Sequence, residues 1–298
     1  MEFSDQAARL RRWNITRPVR ATDIEVLQRF GRQVSVLPSA VDSSLPALTQ
    51  AMLKNGWGWS WIDADWSVLV TGDGGPHNVL KLRNDLDMSV VTASLRRYYD
   101  ESGPADRPVY ALDLAKATAG VPFTSTVTVL PAKHLLVSGP APAPFLAAID
   151  GKTASMSTDS TVAALTAATG PADYTMLRTG GQVCTKLSGR VKDEVSTLIG
   201  PEPLAAPTAL ALAVKDNTHG VVVVRYADPA TAATEQPRRT ALLSKGRSPL
   251  TQQPYTKVLG PVMIQAGGPD LTYRFDALPN PVRLSQMMAN RDQPWAWC

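Results

Sequence analysis

The sequence predicts an α+β protein of two similar halves, each with the element order αββαββα, mainly antiparallel sheets and helices packed on one face. Residues 45–150 and 190–291 can be read as the same succession of elements over nearly the same length. The turns between the expected strands are too short for parallel crossovers, so neighbouring strands must run antiparallel. A chain of 298 residues, 44% of them hydrophobic, can bury one large core or two ordinary ones.

The proposed repeat sets the expected domain boundaries. Residues 1–42 are predicted to form an N-terminal arm, because Pro18 stops any helix that begins there. Residues 43–187 are predicted to form the first half, with an extra segment at 151–187. Residues 188–298 are predicted to form the second half.

The first half is predicted to open with a helix, because Leu45, Leu48 and Met52 recur at helical spacing. A hairpin follows, with strands at 66–71 and 78–83 around a loop rich in glycine and aspartate. The rest of the half comprises a helix at 88–100 capped by Asp87, strands at 108–114, 124–130 and 134–138, and a short helix ending at Gly151.

The second half is predicted to repeat this order with different residues. Before it, Asp159 caps a helix that Gly170 ends. The helix that begins after Asp228 contains Pro237, which is expected to kink or split it. The elements of the half are a helix at 190–199, strands at 208–214 and 220–227, the Pro237 helix, strands at 258–266 and 271–277, and a last helix after 280–281.

The chain is mildly basic, with a net charge of +4, and its densest cationic cluster lies in the first 20 residues. The cluster consists of Arg9, Arg11, Arg12, Arg17 and Arg20. It is either a solvated tail or a tail that contacts nucleic acid or an anionic membrane surface. No apolar stretch is long enough to span a bilayer, so no transmembrane segment is expected. The compartment stays open, with an extracytoplasmic domain that lacks its signal or anchor as one alternative.

The two cysteines, Cys184 and Cys298, lack the spacing of a zinc site, and the three histidines lie far apart in the sequence. Two readings are open for the cysteines. They are either free buried thiols or a disulfide that ties the C-terminus to the middle of the chain. The disulfide would indicate an oxidising compartment.

Reactive groups are sparse in the sequence. Cys184 with His134 or His219 is the one Cys/His pair, and the apolar neighbours of Cys184 favour an inert thiol. The clustered acids Asp63, Asp65, Asp85 and Asp87 are better explained as loop and capping residues than as a metal or acid–base site. We therefore predict no catalytic residue, no metal site and no cofactor.

Trp57, Trp59, Trp61 and Trp66 form the densest aromatic group. In an extended strand the first three would face one side, where they would either fill a core or present a contact surface. The sequence hypothesis is a non-catalytic binding or scaffolding module that contacts a protein or a cell-envelope ligand through these tryptophans. Under that hypothesis, Trp59→Ala should weaken partner capture and leave the fold intact.

Two alternatives are retained. One is an enzyme whose acid or thiol site forms only in the folded chain. The other is a self-assembling shell or capsid-like subunit whose basic arm contacts nucleic acid.

Overall fold

The structure is a computed structural model, and it divides the chain into two compact units, Met1–Ser155 and Met156–Cys298. The strand from the expected extra segment 151–187 belongs to the second unit, because it pairs with a strand of that unit. The structure describes residues 1–12, 14, 16–17, 51–52, 54–72, 75–116, 121–123, 126–154, 156–216, 218–280 and 282–298.

The described residues of the first unit form seven strands that pair antiparallel. The strands are β1 (Glu2–Asp5), β2 (Ala64–Gly72), β3 (Gly75–Leu82), β4 (Tyr99–Ser102), β5 (Val109–Leu112), β6 (Val127–Leu130) and β7 (Leu135–Ser138). The helices whose bounds lie within the described residues are α1 (Gln6–Arg12), α2 (Met88–Arg96) and α3 (Ala143–Ile149). The order across the sheet is β1-β2-β3-β7-β6-β5-β4.

In the part of the second unit that the structure describes there are five strands, again all antiparallel. The strands are β8 (Tyr174–Thr179), β9 (Ala209–Val214), β10 (Gly220–Arg225), β11 (Val262–Gly267) and β12 (Asp270–Phe275). The helices are α4 (Ser160–Thr169), α5 (Gly189–Ile199), α6 (Pro229–Lys245), α7 (Tyr255–Leu259) and α8 (Val282–Ala289). The order across the sheet is β8-β9-β10-β12-β11.

The predicted pair of αββαββα halves is wrong. Among the described residues, four strands, not two, lie between α2 and α3, and the strands number seven in the first unit but five in the second. In addition, β1 and β8 lie outside the proposed repeat, and each pairs with the first strand of a hairpin. The two units have the same strand order over five strands. The order β1-β2-β3-β7-β6 of the first unit corresponds to the order β8-β9-β10-β12-β11 of the second.

The predicted packing of helices on one face is also wrong, and the reason is visible in β6 and β7. Every residue of these two strands is buried. Val127, Val129 and Leu136 join one core cluster, whereas Leu135 and Val137 point to a second cluster with α3. Because successive side chains of a strand point to opposite faces, both faces of the sheet are covered.

The second sheet is covered in the same way. All six residues of β9 are buried, and so are five of the six residues of β10. Such continuous apolar strands are typical of sheets with packing on both sides. The helix α6 continues through Pro237, which lies on its exposed side, where water can reach a carbonyl group that the proline leaves unpaired.

Candidate functional site

The tryptophans that were expected to form a contact surface lie in the interior. Trp57, Trp59 and Trp61 are buried in one core cluster of the first unit. The indole N–H of Trp59 donates a hydrogen bond of 2.8 Å to Ser94 Oγ. Trp66 is half-buried and packs against the other cluster. The four side chains therefore present no common surface.

A local turn explains why these tryptophans do not alternate along a strand. Residues Trp61–Asp63 form a short 3₁₀ helix, and Ser60 is its N-cap residue. The Ser60 hydroxyl accepts from the Ile62 N–H at 3.3 Å, and the Asp63 carboxylate accepts from the Ser60 N–H at 2.9 Å. This reciprocal capping box bends the chain before β2 begins.

The N-terminal arginines have mostly structural contacts. Arg9 is buried and donates to Ser4 Oγ at 2.7 Å. Arg17 pairs with Asp65 at 2.9 Å and donates to the Ala64 carbonyl. Arg11 and Arg12 are exposed on α1, and Arg20 lies outside the described residues. Because β1 pairs with β2, Glu2–Asp5 belong to the sheet of the first unit, and α1 follows them directly.

The clustered acids have local roles in the structure. Asp87 caps α2 by accepting from the Ser89 N–H at 2.8 Å, which lowers the pKa of its carboxyl group. Asp63 is buried, and this burial raises its pKa against the opposing effects of the Ser60 N–H and of Arg83. Among the residues that the structure describes, no three His, Cys, Asp or Glu side chains are placed to share a metal ion.

Cys184 and Cys298 are joined in a disulfide, with their Cα atoms 5.9 Å apart. The C-terminal segment also pairs with the chain after Cys184, since the Thr185 N–H donates to the Ala296 carbonyl at 2.9 Å and the Cys298 N–H donates to the Thr185 carbonyl at 3.1 Å. Trp295, in the same segment, is fully buried. No thiol is available for catalysis while the disulfide is intact, because the chain has no other cysteine.

Loss of the disulfide is expected to destabilise the second unit by about 2–4 kcal/mol, because the bond closes a loop with a sequence separation of 114 residues in the unfolded chain. Urea unfolding of the wild type with and without reductant, and of the double variant C184S/C298S, measures the effect. The reductant should not change the unfolding midpoint of the double variant. Equal midpoints for wild type and double variant would contradict the expectation.

A buried ion pair on α6 also contacts the C-terminal segment through hydrogen bonds. Arg239 on α6 is fully buried and donates to Glu235 Oε2 at 2.9 Å. Its remaining N–H groups donate to the carbonyls of Pro294 at 2.8 Å and Trp297 at 2.9 Å, and to that of Ala205 at 3.1 Å. The guanidinium therefore connects α6 to the chain end and to the segment before β9.

A second buried polar group centres on Asp292. Its carboxylate accepts hydrogen bonds from the hydroxyls of Ser248 and Tyr255, the latter at 2.7 Å. All three side chains are buried. Sequence reasoning missed this group, because its members are far apart in the chain and fall in no recognisable motif. Its burial leaves no open approach for a solute, so it supports packing between α7 and the chain end.

The strand β11 lies at one end of the sheet of the second unit. It pairs with β12 through a two-residue loop, with Gly267 opposite Asp270. In such a ladder alternate residues direct their backbone groups away from the partner strand. The Ile264 carbonyl accepts from Gln236 Nε2 at 3.0 Å, which identifies Val262, Ile264 and Ala266 as the residues that face outward.

A shallow, open groove of about 460 Å³ lies on the surface of α6, and all of its lining residues belong to that helix. Gln236 belongs to both features, because it lines the groove and donates to Ile264 on β11. The other lining residues are Pro237, Thr240, Ala241, Ser244 and Lys245. Most of these side chains are small, so the groove has room for side chains of an added segment.

No helix in the described part of the chain is long and apolar enough to cross a membrane.

The comparison with known proteins gives no family assignment. No protein-family model, no curated protein and no solved structure matches the chain.

Proposed function

We propose that the protein is a non-catalytic binding module whose second unit captures an extended segment of a partner protein along β11. The segment adds to the sheet as a further antiparallel or parallel strand. Its backbone bonds to the outward groups of Val262 and Ala266 and to the N–H of Ile264, and alternate side chains enter the groove on α6. Recognition by strand addition takes its affinity from main-chain hydrogen bonds and its specificity from pockets for side chains.

The observation that carries this proposal is the composition of β11. The strand reads VMIQAG, has no charged residue and exposes Met263. By contrast β4, at one end of the first sheet, reads YDES, and its Asp100 and Glu101 are paired with Lys116 and Arg96. Charged and short edge strands resist pairing with other chains, whereas an uncharged apolar edge accepts it.

The groove supports the same proposal. Gln236 places its amide at the edge, where it bonds to one outward carbonyl and leaves the neighbouring positions for an added strand. The disulfide between Cys184 and Cys298 supports an oxidising compartment for this encounter.

Two exposed methionines offer a matched test. Met263 on β11 and Met156 at the start of the second unit each expose 47% of their surface. We expect Met263→Lys to weaken the binding of strand-forming peptides by about tenfold or more, because it places a charge on the edge. Met156→Lys should leave the affinity unchanged.

The probes are decapeptides selected from a random display library on the wild-type protein. Binding is measured by fluorescence anisotropy, and hydrogen exchange of the complex locates the peptide. Slower exchange of the amides of Val262, Ile264 and Ala266 supports the proposal. Selected peptides that protect other amides, or that bind both lysine variants equally, would refute it.

A further inference from the structure

An arginine without a counter-ion lies on the strand next to the β11 edge. Arg274 of β12 is half-buried, and its cross-strand neighbours are Met263 on β11 and Val221 on β10. Both neighbours are apolar and accept no hydrogen bond through their side chains. Within the described part of the chain, no carboxylate or carbonyl oxygen accepts from the Arg274 guanidinium. Its donors are therefore free for a group that arrives from outside.

A second arginine on the same face of the sheet has an acidic neighbour. Arg225 on β10 lies directly opposite Asp270 on β12, and its Nε and Nη2 donate to the two carboxylate oxygens at 2.8 Å each. Side chains that are directly opposite in a ladder contact each other on one face of the sheet. Arg274 is on the same face of β12 as Asp270, but the strand between it and the edge supplies Met263 instead of an acid.

An added strand would bring a new side chain to this face. The residue that it places opposite Met263 has its Cα about 10 Å from that of Arg274, which is two strand spacings. The aliphatic stem of an arginine can lie across apolar surface such as Met263, which is 47% exposed, while its guanidinium points to the next strand. A carboxylate on the added strand can then accept a forked pair of hydrogen bonds.

The other charges around the edge have the same sign. Among the described residues of β11, β12, α7 and the α6 groove, the charged side chains that form no ion pair are Arg274, Lys245 and Lys257. Asp276 is exposed directly after β12, beyond the residues that pair with β11. This excess of cations is complementary to an anionic partner.

We propose that the segment captured at β11 is acidic and carries Asp or Glu at the position opposite Met263, where its carboxylate pairs with Arg274. This inference rests on the strand addition proposed above, and it adds the chemistry of the partner. The main-chain bonds hold any extended segment, whereas the charge selects among segments. A segment with Lys or Arg at that position is disfavoured by the like charge of Arg274.

The test uses a library-selected decapeptide that protects the β11 amides in hydrogen exchange. Each of its positions is replaced in turn by Glu and by Lys, and the affinities are measured by fluorescence anisotropy. We expect one position at which Glu binds about fivefold more tightly than Lys, a difference typical of an exposed ion pair. The difference should shrink at high ionic strength, because exposed charges are screened.

Two variants of Arg274 assign the preference to this side chain. Arg274→Glu should invert it, so that Lys binds more tightly than Glu at the same position. Arg274→Gln should abolish the difference, and it keeps the test decisive if Arg274→Glu does not fold. Arg11→Glu is the matched control, because Arg11 is exposed on α1 of the first unit and the net charge changes by the same amount. This control should keep the preference for Glu.

The outcomes separate the acidic partner from strand addition itself. A decapeptide that protects the β11 amides but prefers Glu over Lys at no position would overturn the acidic partner and leave strand addition standing. Folded Arg274 variants that keep the wild-type preference would have the same consequence. If no selected decapeptide protects these amides, both proposals are refuted.

Discussion

Replacing Trp59 by alanine is expected to lower the free energy of unfolding by about 3–5 kcal/mol. The side chain is fully buried, and its ring lies near Trp57 and Phe123, with centroids 6.2 Å and 6.5 Å away. The variant loses the burial of the indole, leaves a cavity and removes the N–H that donates to Ser94 Oγ. Urea unfolding followed by tyrosine and tryptophan fluorescence measures the change.

Trp66→Ala is the matched control for that experiment. Trp66 is half-buried, so the same substitution removes less buried area and should cost less stability. If Trp59→Ala kept its stability within about 1 kcal/mol of the wild type, the core position of Trp59 would be refuted. The outcome also decides the hypothesis of a tryptophan contact surface, because that hypothesis requires a folded variant with weakened partner capture.

Arg239→Ala is expected to destabilise the second unit by a comparable amount, about 3–5 kcal/mol. The substitution leaves the Glu235 carboxylate buried beside Arg238 alone and removes the donor for the carbonyls of Pro294 and Trp297. A buried charge that loses one of its partners costs more than the pair itself contributes. The loss should change little with salt, since buried charges are poorly screened.

A surface pair provides the control for Arg239. Arg190 and Glu194 form an ion pair at 2.6 Å on α5, but both side chains are more than half exposed. Arg190→Ala should leave the stability nearly unchanged, because exposed pairs contribute little. Equal unfolding midpoints for the two variants would show that Arg239 does not hold the chain end. The double variant R239M/E235L should recover part of the loss, since it removes both charges together.

Local signals predicted several elements correctly. The helix starts after Asp87, Asp159 and Asp228 are confirmed, and in each case the aspartate carboxylate accepts a backbone N–H of the first turn. The hairpin of β2 and β3 was also predicted, since glycine and aspartate mark its turn. These features depend on neighbours within a few residues, which is why a single sequence reveals them.

The predicted repeat failed where local patterns are ambiguous. The helix expected at 88–100 ends at Arg96, and Tyr99–Ser102 forms a strand at the end of the sheet. A short amphipathic run fits either structure, and the pairing with β5 decides it. The same ambiguity hid the strand β1, whose four residues have meaning only beside β2.

By itself the sequence determined the antiparallel character of the hairpins, the caps of three helices and the scarcity of reactive groups, because short turns and capping carboxylates act over a few residues. Only the tertiary structure decided which strands meet, that both sheet faces are covered and that the tryptophans are interior. It alone also brought Gln236 to β11 and Tyr255 to Asp292. Such contacts join residues that are distant along the chain, and their free energy comes from burial and hydrogen bonding, which exist only once the sheets have formed.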